Sequence, residues 1–284
     1  MRQSTHVLLL FGFLLAGVPS ASAQDSVYIE ELTWMEVRDA IKAGKTTVIL
    51  PTGGTEQSGP HLVLGKENFA VHYSAGEIAK RLGTALVAPT VAYVPEGNVN
   101  PPSGHMRYAG SITLPEDVFV QLLVWAGRSF KVNGFTDIVF IGNSGGNQDG
   151  LKAAAEQLNK EWGEGPTRAH FVNAYYDAGA PTAPVVESPY DRMLKEQGET
   201  RDTIGSHAGI RDTSTLMAVE AAAFKKGQLV RWDKLAPKGG FEGSGVTGDP
   251  TRASIERGKV GNQLKVEAAV KQIQEVVVRK VKSP

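Results

Sequence analysis

The sequence predicts an α/β domain, a mostly parallel sheet covered by helices on both faces. Two observations carry this reading. Short apolar runs of β type alternate with amphipathic helical patterns, and no internal repeat or low-complexity tract interrupts them. The resulting order, βαβ followed by αβαβ, is that of a doubly wound sheet, whose ligands sit outside the carboxyl ends of the strands.

The elements follow in order. A helix over Trp34–Ala43 leads to a strand at Thr47–Pro51, and a glycine-rich turn then opens a helix over Glu67–Leu82, followed by a short strand at Ala85–Ala88. The segment Pro89–Gly110 is too irregular for a regular element and too long for a plain connection, as functional loops often are. Ser111–Leu114 reads as a strand edge, Pro115–Asn133 as a helix opened by proline, and Asp137–Gly142 as a buried parallel strand. A helix over Gly145–Trp162 starts where that strand ends. A strand at Arg168–Ala174, a polar loop to Ser206, and helices over Asp212–Lys225 and Pro250–Val281 complete the chain.

The first residues have a different character. Arg2, the apolar stretch from Val7 to Val18, and Ser20-Ala21-Ser22-Ala23 before Gln24 match the three regions of a secretory signal peptide. The apolar core is too short to span a bilayer as a stable helix. Residues 1–23 are therefore expected to be removed after Ala23. The mature domain, 24–284, is expected to be exported, either periplasmic or secreted.

Composition narrows the partners. The 284 residues carry 30 basic and 30 acidic side chains with no dense Lys/Arg cluster, which argues against nucleic acid and anionic membranes. A small, roughly neutral molecule is the expected ligand. The chain has no cysteine, so any metal would be held by histidine and carboxylates.

Three polar, glycine-rich segments fall where a doubly wound sheet places its site. They are Pro51-Thr52-Gly53-Gly54-Thr55-Glu56-Gln57-Ser58-Gly59-Pro60-His61, Gly142-Asn143-Ser144-Gly145-Gly146-Asn147, and His207-Ala208-Gly209-Ile210-Arg211-Asp212-Thr213-Ser214. Glycine lets backbone approach a ligand closely, and helix starts offer amide donors.

At these residues the sequence resembles the creatininase family. Its members carry a first segment like P-x-G-S-x-E-Q-H-G-P-H-L-P-L-x-T-D, a second like N-G-H-G-G-N and a third like H-A-G-x-x-E-T-S. The match runs from Thr33-Trp34 to Gly245-Val246-Thr247-Gly248-Asp249-Pro250, with Ser111-Ile112 like the family's G-T-I-S-L strand. The resemblance implies a three-layer αβα fold, often assembled as a homo-oligomer such as a hexamer. It also implies a divalent metal, commonly zinc or manganese, used to hydrolyse small cyclic or linear amides.

Carried over residue by residue, Glu56 stands at the family's first carboxylate ligand, Glu67 at its aspartate, and Asp212 at the glutamate of the third segment. These three form the expected metal set. Ser58 and Ser144 replace two ligand histidines, and a hydroxyl is a poor zinc ligand beside imidazole, so a two-metal site does not follow. His207 keeps the histidine that resembles a proton-transfer residue. Ser58, His61, Glu96, His105 and Asn147 are assigned to substrate binding, with His61 or His105 able to add a nitrogen ligand. His72 and His170 are read as structural, and Trp34, Trp125 and Trp162 as core or subunit-contact residues.

Ser144 also admits another chemistry. Gly142-Asn143-Ser144-Gly145-Gly146 satisfies G-x-S-x-G between a strand and a helix, the setting of a nucleophile elbow, with Asp177 or Asp202 and then His207 following in order. The sequence thus leaves three readings open. One is hydrolysis of a non-peptide carbon–nitrogen bond in a small amide or lactam, with one divalent ion. The others are a metal-independent serine ester or amide hydrolase, and an exported pseudoenzyme that binds small molecules.

Overall fold

The computed structural model describes residues 26–181, 187–235 and 243–282. The expected signal peptide lies outside them. Among the described residues no helix is long and apolar enough to cross a membrane.

The chain runs α1 (Trp34–Lys42), β1 (Thr47–Thr52), α2 (Lys66–Leu82), β2 (Ala85–Val87), α3 (Glu116–Val132), β3 (Asp137–Gly142), α4 (Gln148–Trp162) and β4 (Arg168–Phe171). It continues through α5 (Ala174–Gly179), α6 (Pro189–Glu196), α7 (Arg201–Ile204) and α8 (Ile210–Ala223) to α9 (Ile255–Lys282). The four strands are all parallel, in the order β2-β1-β3-β4.

Strand alternation builds two cores. Val48 and Leu50 of β1, with Ile138 and Phe140 of β3, pack against α1, α3 and α4 through Val37, Phe119, Leu123, Leu151 and Leu158. Ile49, Val139 and Ile141 face the other way, onto α2, α5 and α9 through Val71, Ile78, Tyr175, Val266 and Ile273. The fold is therefore the three-layer αβα arrangement. A smaller cluster around Leu62, Leu216, Val219 and Val230 packs the long loop after β1 against α8.

Local signals explain the element ends. Thr33 accepts from the Glu36 N–H at 3.4 Å while Glu36 accepts from the Thr33 N–H at 2.7 Å, a reciprocal cap that starts α1. Gly83 stops α2 in the left-handed conformation at φ +71°.

Several expectations need correction. Ser111–Leu114 is no strand; it makes isolated bridges, Thr55 to Ile112 and Val94 to Thr113. β4 ends at Phe171, and the segment read as polar loop up to Ser206 contains α5, α6 and α7. Such short helices are marginal alone and form here because Tyr175, Tyr190 and Leu194 are buried. A single 3-10 turn at Gly145–Asn147 precedes α4, and another at Pro250–Arg252 precedes α9. Of the tryptophans read as core or subunit-contact residues, Trp162 is in the core, whereas Trp34 and Trp125 are 72% and 63% exposed on the single chain, beneath the guanidinium groups of Arg38 and Arg128, so that of the two alternatives only the core one is excluded for them.

Topology positions the site. From β1 the chain crosses through α2 to β2 on one side, then through α3 to β3 on the other. The loops leaving β1 and β3 therefore diverge and leave a crevice between them at the carboxyl edge.

Candidate active site

The loop after β1 carries Glu56, and its shape rests on Gly54. At φ +152° this position suits glycine, and a Cβ there would meet Glu96 Oε1 at 2.3 Å. Glu96 packs beside Glu56 in a buried pair. Burial and the neighbouring Glu56 charge push the Glu96 carboxyl up to about 10, so it is protonated at neutral pH. Burial also raises Glu56, against the pull of Lys66.

The loop after β3 contributes Asn143 and Ser144. Asn143 donates to Glu67 and accepts from Lys265, and Tyr175 donates to its Oδ1 at 2.8 Å. Burial brings Lys265 down to about 8. Ser144 caps the following turn, accepting from the Gly146 N–H at 3.3 Å. His207 precedes α8 and is pinned by Thr247, whose Oγ1 accepts from the His207 N–H at 2.7 Å and whose N–H donates to the His207 carbonyl at 2.8 Å. Asp212, in the first turn of α8, accepts from the Ala208 N–H at 2.6 Å.

Gln57 orients two imidazoles. The Gly59 N–H donates to its Oε1 at 2.9 Å, which turns the amide NH2 toward His105 Nδ1 at 3.3 Å. Nδ1 must accept, so the proton of neutral His105 sits on Nε2, 3.3 Å from Glu56 Oε2. Burial, then the Lys66 charge, holds His105 below the usual imidazole range. The Gln57 carbonyl lies 2.8 Å from His207 Nε2 and can only accept, which leaves His207 Nδ1 as the proton-accepting nitrogen of the neutral ring. The two rings are 4.8 Å apart.

At the centre stands Lys66, the first residue of α2. Its Nζ is 2.5 Å from Glu67 Oε1, 3.3 Å from Asp212 Oδ2 and 3.6 Å from Glu56 Oε1. Burial alone would favour the neutral amine. The charges of Asp212, Glu67 and Glu56 outweigh it and hold the lysine above its ordinary range. The same ion pairing holds Asp212 well below the carboxylate range despite its burial.

A cavity of about 280 Å³ opens over this cluster. It brings together Glu56, Glu67, Ser144, His207, Asp212 and His105 of the residues singled out from sequence. It also takes in Lys66, Asn143, Tyr176, Arg211 and Lys265, which sequence reasoning missed.

The other expected residues stand off the cavity lining. Glu96 lies behind Glu56. Ser58 is fully buried. His61 is buried with Nε2 2.9 Å from Thr213 Oγ1, and burial lowers it to about 4, so it ties the loop to α8 as a neutral ring. Asn147 donates to Thr52 Oγ1 at 3.1 Å and to the Gly53 carbonyl at 2.8 Å, which joins the ends of β1 and β3.

The serine triad is not assembled. Ser144 has ordinary extended backbone and, among the described residues, no histidine bonded to its Oγ. Asp177 accepts from Asn173, and Asp202 lies in α7 away from this cavity.

Two metal positions can be tested against these residues. Ligand atoms of Glu56, His105 and His207 lie within 4.8 Å of one another, a group that could hold one ion. Two imidazoles and a carboxylate suit zinc or manganese. His207 has the outer carbonyl partner that ligating imidazoles use, whereas ligation through His105 Nε2 would break its bond from Gln57. Glu56, Glu67 and Asp212, the set expected from sequence, surround an ammonium and do not fit a divalent ion in this arrangement.

The Glu96 carboxyl yields a stability prediction. Its folded pKa lies above the unfolded one, so its contribution is full below about pH 4 and is lost as pH rises toward 10. Glu96→Gln removes that loss and should raise stability at pH 7 by about 1 kcal/mol after allowing for the altered bond to Glu56. Denaturant titrations at pH 7 and pH 4 check it; an equal effect at both contradicts the assignment.

Fold and site together define a doubly wound αβα protein with a carboxylate- and imidazole-lined cavity at the switch point of its sheet. Residues 30–275 match the creatininase family, described as creatinine amidohydrolase, and the chain belongs to that family. A mycofactocin precursor peptide peptidase of Mycolicibacterium smegmatis is 34% identical over 119 residues, 40% of this chain and 45% of that protein. The mycofactocin precursor peptide peptidase of Mycobacterium tuberculosis is 27% identical over 233 residues, 75% of this chain and 78% of that protein. The 3-dehydro-scyllo-inosose hydrolase of Thermotoga maritima is 22% identical over 282 residues, 89% and 84% of the two chains. A creatininase variant of Zn-Zn type superposes with a TM-score of 0.68 at 21% identity, covering 89% of this chain and 98% of the other. A structure described as creatininase Mn gives 0.68 at 21%, covering 88% and 98%.

Proposed function

We propose that this chain hydrolyses a carbon–nitrogen bond in a small polar amide or lactam within the cavity at Glu56, His105 and His207. The observation that carries the proposal is the fixed His207 ring. Its Nε2–H is bound to the Gln57 carbonyl, and its other nitrogen is left to take a proton. Relatives named as hydrolases of a peptide and of a cyclitol ketone leave the substrate open; the volume of about 280 Å³ favours a small one.

In the proposed reaction His207 takes a proton from water as the oxygen attacks the carbonyl carbon. It returns the proton to the nitrogen as the carbon–nitrogen bond breaks. The Ser144 hydroxyl accepts from Gly146 and keeps its own proton to donate to the carbonyl oxygen. Glu56 holds His105 by its Nε2–H. Zinc or manganese, if bound by Glu56, His105 and His207, would supply Lewis-acid polarisation of the carbonyl in place of this proton relay, because ligation would take the His207 nitrogen that serves as base and the His105 nitrogens now held by Glu56 and Gln57.

A panel of small amides and lactams, followed by chromatography, tests the proposal. Ser144→Ala should retain hydrolysis of any substrate found, reduced about tenfold, the value of one hydrogen bond of about 1.4 kcal/mol. Complete loss in Ser144→Ala, with covalent labelling of Ser144 by a fluorophosphonate, would restore the nucleophile reading. Binding without turnover across the panel would favour a pseudoenzyme.

We further propose export with cleavage after Ala23, and assembly as a homo-oligomer. Intact-mass measurement and light scattering of the exported protein should give a chain starting at Gln24 and a mass above one chain. A monomer, or a product retaining Val7 to Val18, contradicts the respective part.

A further inference from the structure

We infer that the Lys66 ammonium is the resident cation of the carboxylate cluster, standing among Glu56, Glu67 and Asp212 where a divalent ion would otherwise sit. Three separate elements converge on it: Glu56 from the loop after β1, Glu67 from the start of α2, and Asp212 from the start of α8. Lys66, Glu56 and Glu67 are 3%, 2% and 5% exposed, so water does little to screen or satisfy them. Asp212 is more open, its side chain 29% exposed, but two buried carboxylates with a third beside them are poorly ionised together without a cation among them. An ammonium supplies one charge and three donors, with Glu67 and Asp212 within hydrogen-bond range and Glu56 just beyond.

A divalent ion has no room beside it. Carboxylate ligands bind zinc at about 2.0–2.2 Å, and an ion that close to both Glu67 and Asp212 would crowd the ammonium that touches the same two groups. Two further cations stand at the same cavity. Lys265 reaches Asn143, which holds Glu67, and Arg211 pairs with Asp191 at 3.4 Å beside the cavity. A tethered ammonium differs from an ion in one practical respect: no chelator removes it.

The inference concerns the cavity of the proposed hydrolysis and rests on it only for location. Its readout is ion binding rather than turnover, so either can fail alone. Equilibrium dialysis against zinc or manganese chloride, with elemental analysis, compares wild type, Glu67→Gln, Lys66→Met and the double variant. Glu67 lies outside the Glu56–His105–His207 group. Wild type and Glu67→Gln should therefore bind the same number of ions. Lys66→Met should bind one more per chain, and the double variant should lose it. A drop in wild-type stoichiometry on Glu67→Gln, or no extra ion in folded Lys66→Met, overturns the inference. If Lys66→Met fails to fold, recovery of its circular dichroism on adding either ion supports the inference. Failure to recover, like a drop on Glu67→Gln, counts against it.

Discussion

Lys66→Met should lower unfolding free energy at pH 7, without divalent ions, by about 3–5 kcal/mol, the cost of removing one partner from a buried ion pair. Methionine keeps the length and apolar stem of lysine, so little packing changes. What changes is charge: Glu56, Glu67 and Asp212 lose the cation that lies 2.5 to 3.6 Å from them. Some of them must then take up protons at a pH where their unfolded counterparts are ionised.

The pH dependence identifies the cause. The folded Asp212 pKa lies below its unfolded value, so its contribution is complete above about pH 4 and lost as pH falls. Lys66 is raised, so its contribution is complete below its unfolded pKa of about 10.4 and lost as pH rises past it. The gap between wild type and Lys66→Met should therefore be widest from about pH 5 to pH 10 and close in acid. Urea titrations at pH 7 and pH 3.5 measure it. A gap under about 1 kcal/mol at pH 7, or one that persists unchanged in acid, means that the ammonium does not hold the cluster.

The sheet was legible because its information is local. β1 and β3 are unbroken apolar runs, and α1 to α4 show their apolar faces within the segment, so Asp137–Gly142 has the predicted bounds and α2 differs only by starting at Lys66. The helices α5 to α7 were not legible. Each is under nine residues, and what stabilises them lies elsewhere in the chain, as with Tyr190 against Gly261 of α9.

The convergence of Glu56, Ser144 and His207 on one cavity followed from the switch-point rule. The identity of the central cation did not. A lysine beside a glutamate at a helix start reads as a solvated pair, and only the fold buries it. The available signal was the motif itself: Lys66 stands against the threonine of L-x-T-D, directly before the residue assigned as a ligand. His61, Ser58 and Asn147 carry the opposite lesson, since polar residues in a glycine-rich motif can serve the loop that holds the site. No local pattern could pair Lys265 with Asn143 across 122 positions.

The second large effect is expected at His207. His207→Gln keeps an N–H donor for the Gln57 carbonyl but removes the basic nitrogen, so the loop should fold while proton transfer fails. On a substrate found by the amide panel, kcat should fall by about 10²–10⁴ with KM within a few-fold, because general acid–base catalysis acts in the transition state. His105→Gln should cost less. Its Nε2–H is committed to Glu56 and its Nδ1 to the Gln57 amide, so it positions Glu56 and has no free nitrogen to move a proton. Steady-state kinetics of the two variants, with thermal unfolding to verify folding, separate the roles. Added imidazole should restore part of the rate to His207→Gln and none to His105→Gln. If His105→Gln is instead the more damaged and His207→Gln turns over normally, the proton is carried by the other ring, and the tautomer set by Gly59 and Gln57 has been misassigned.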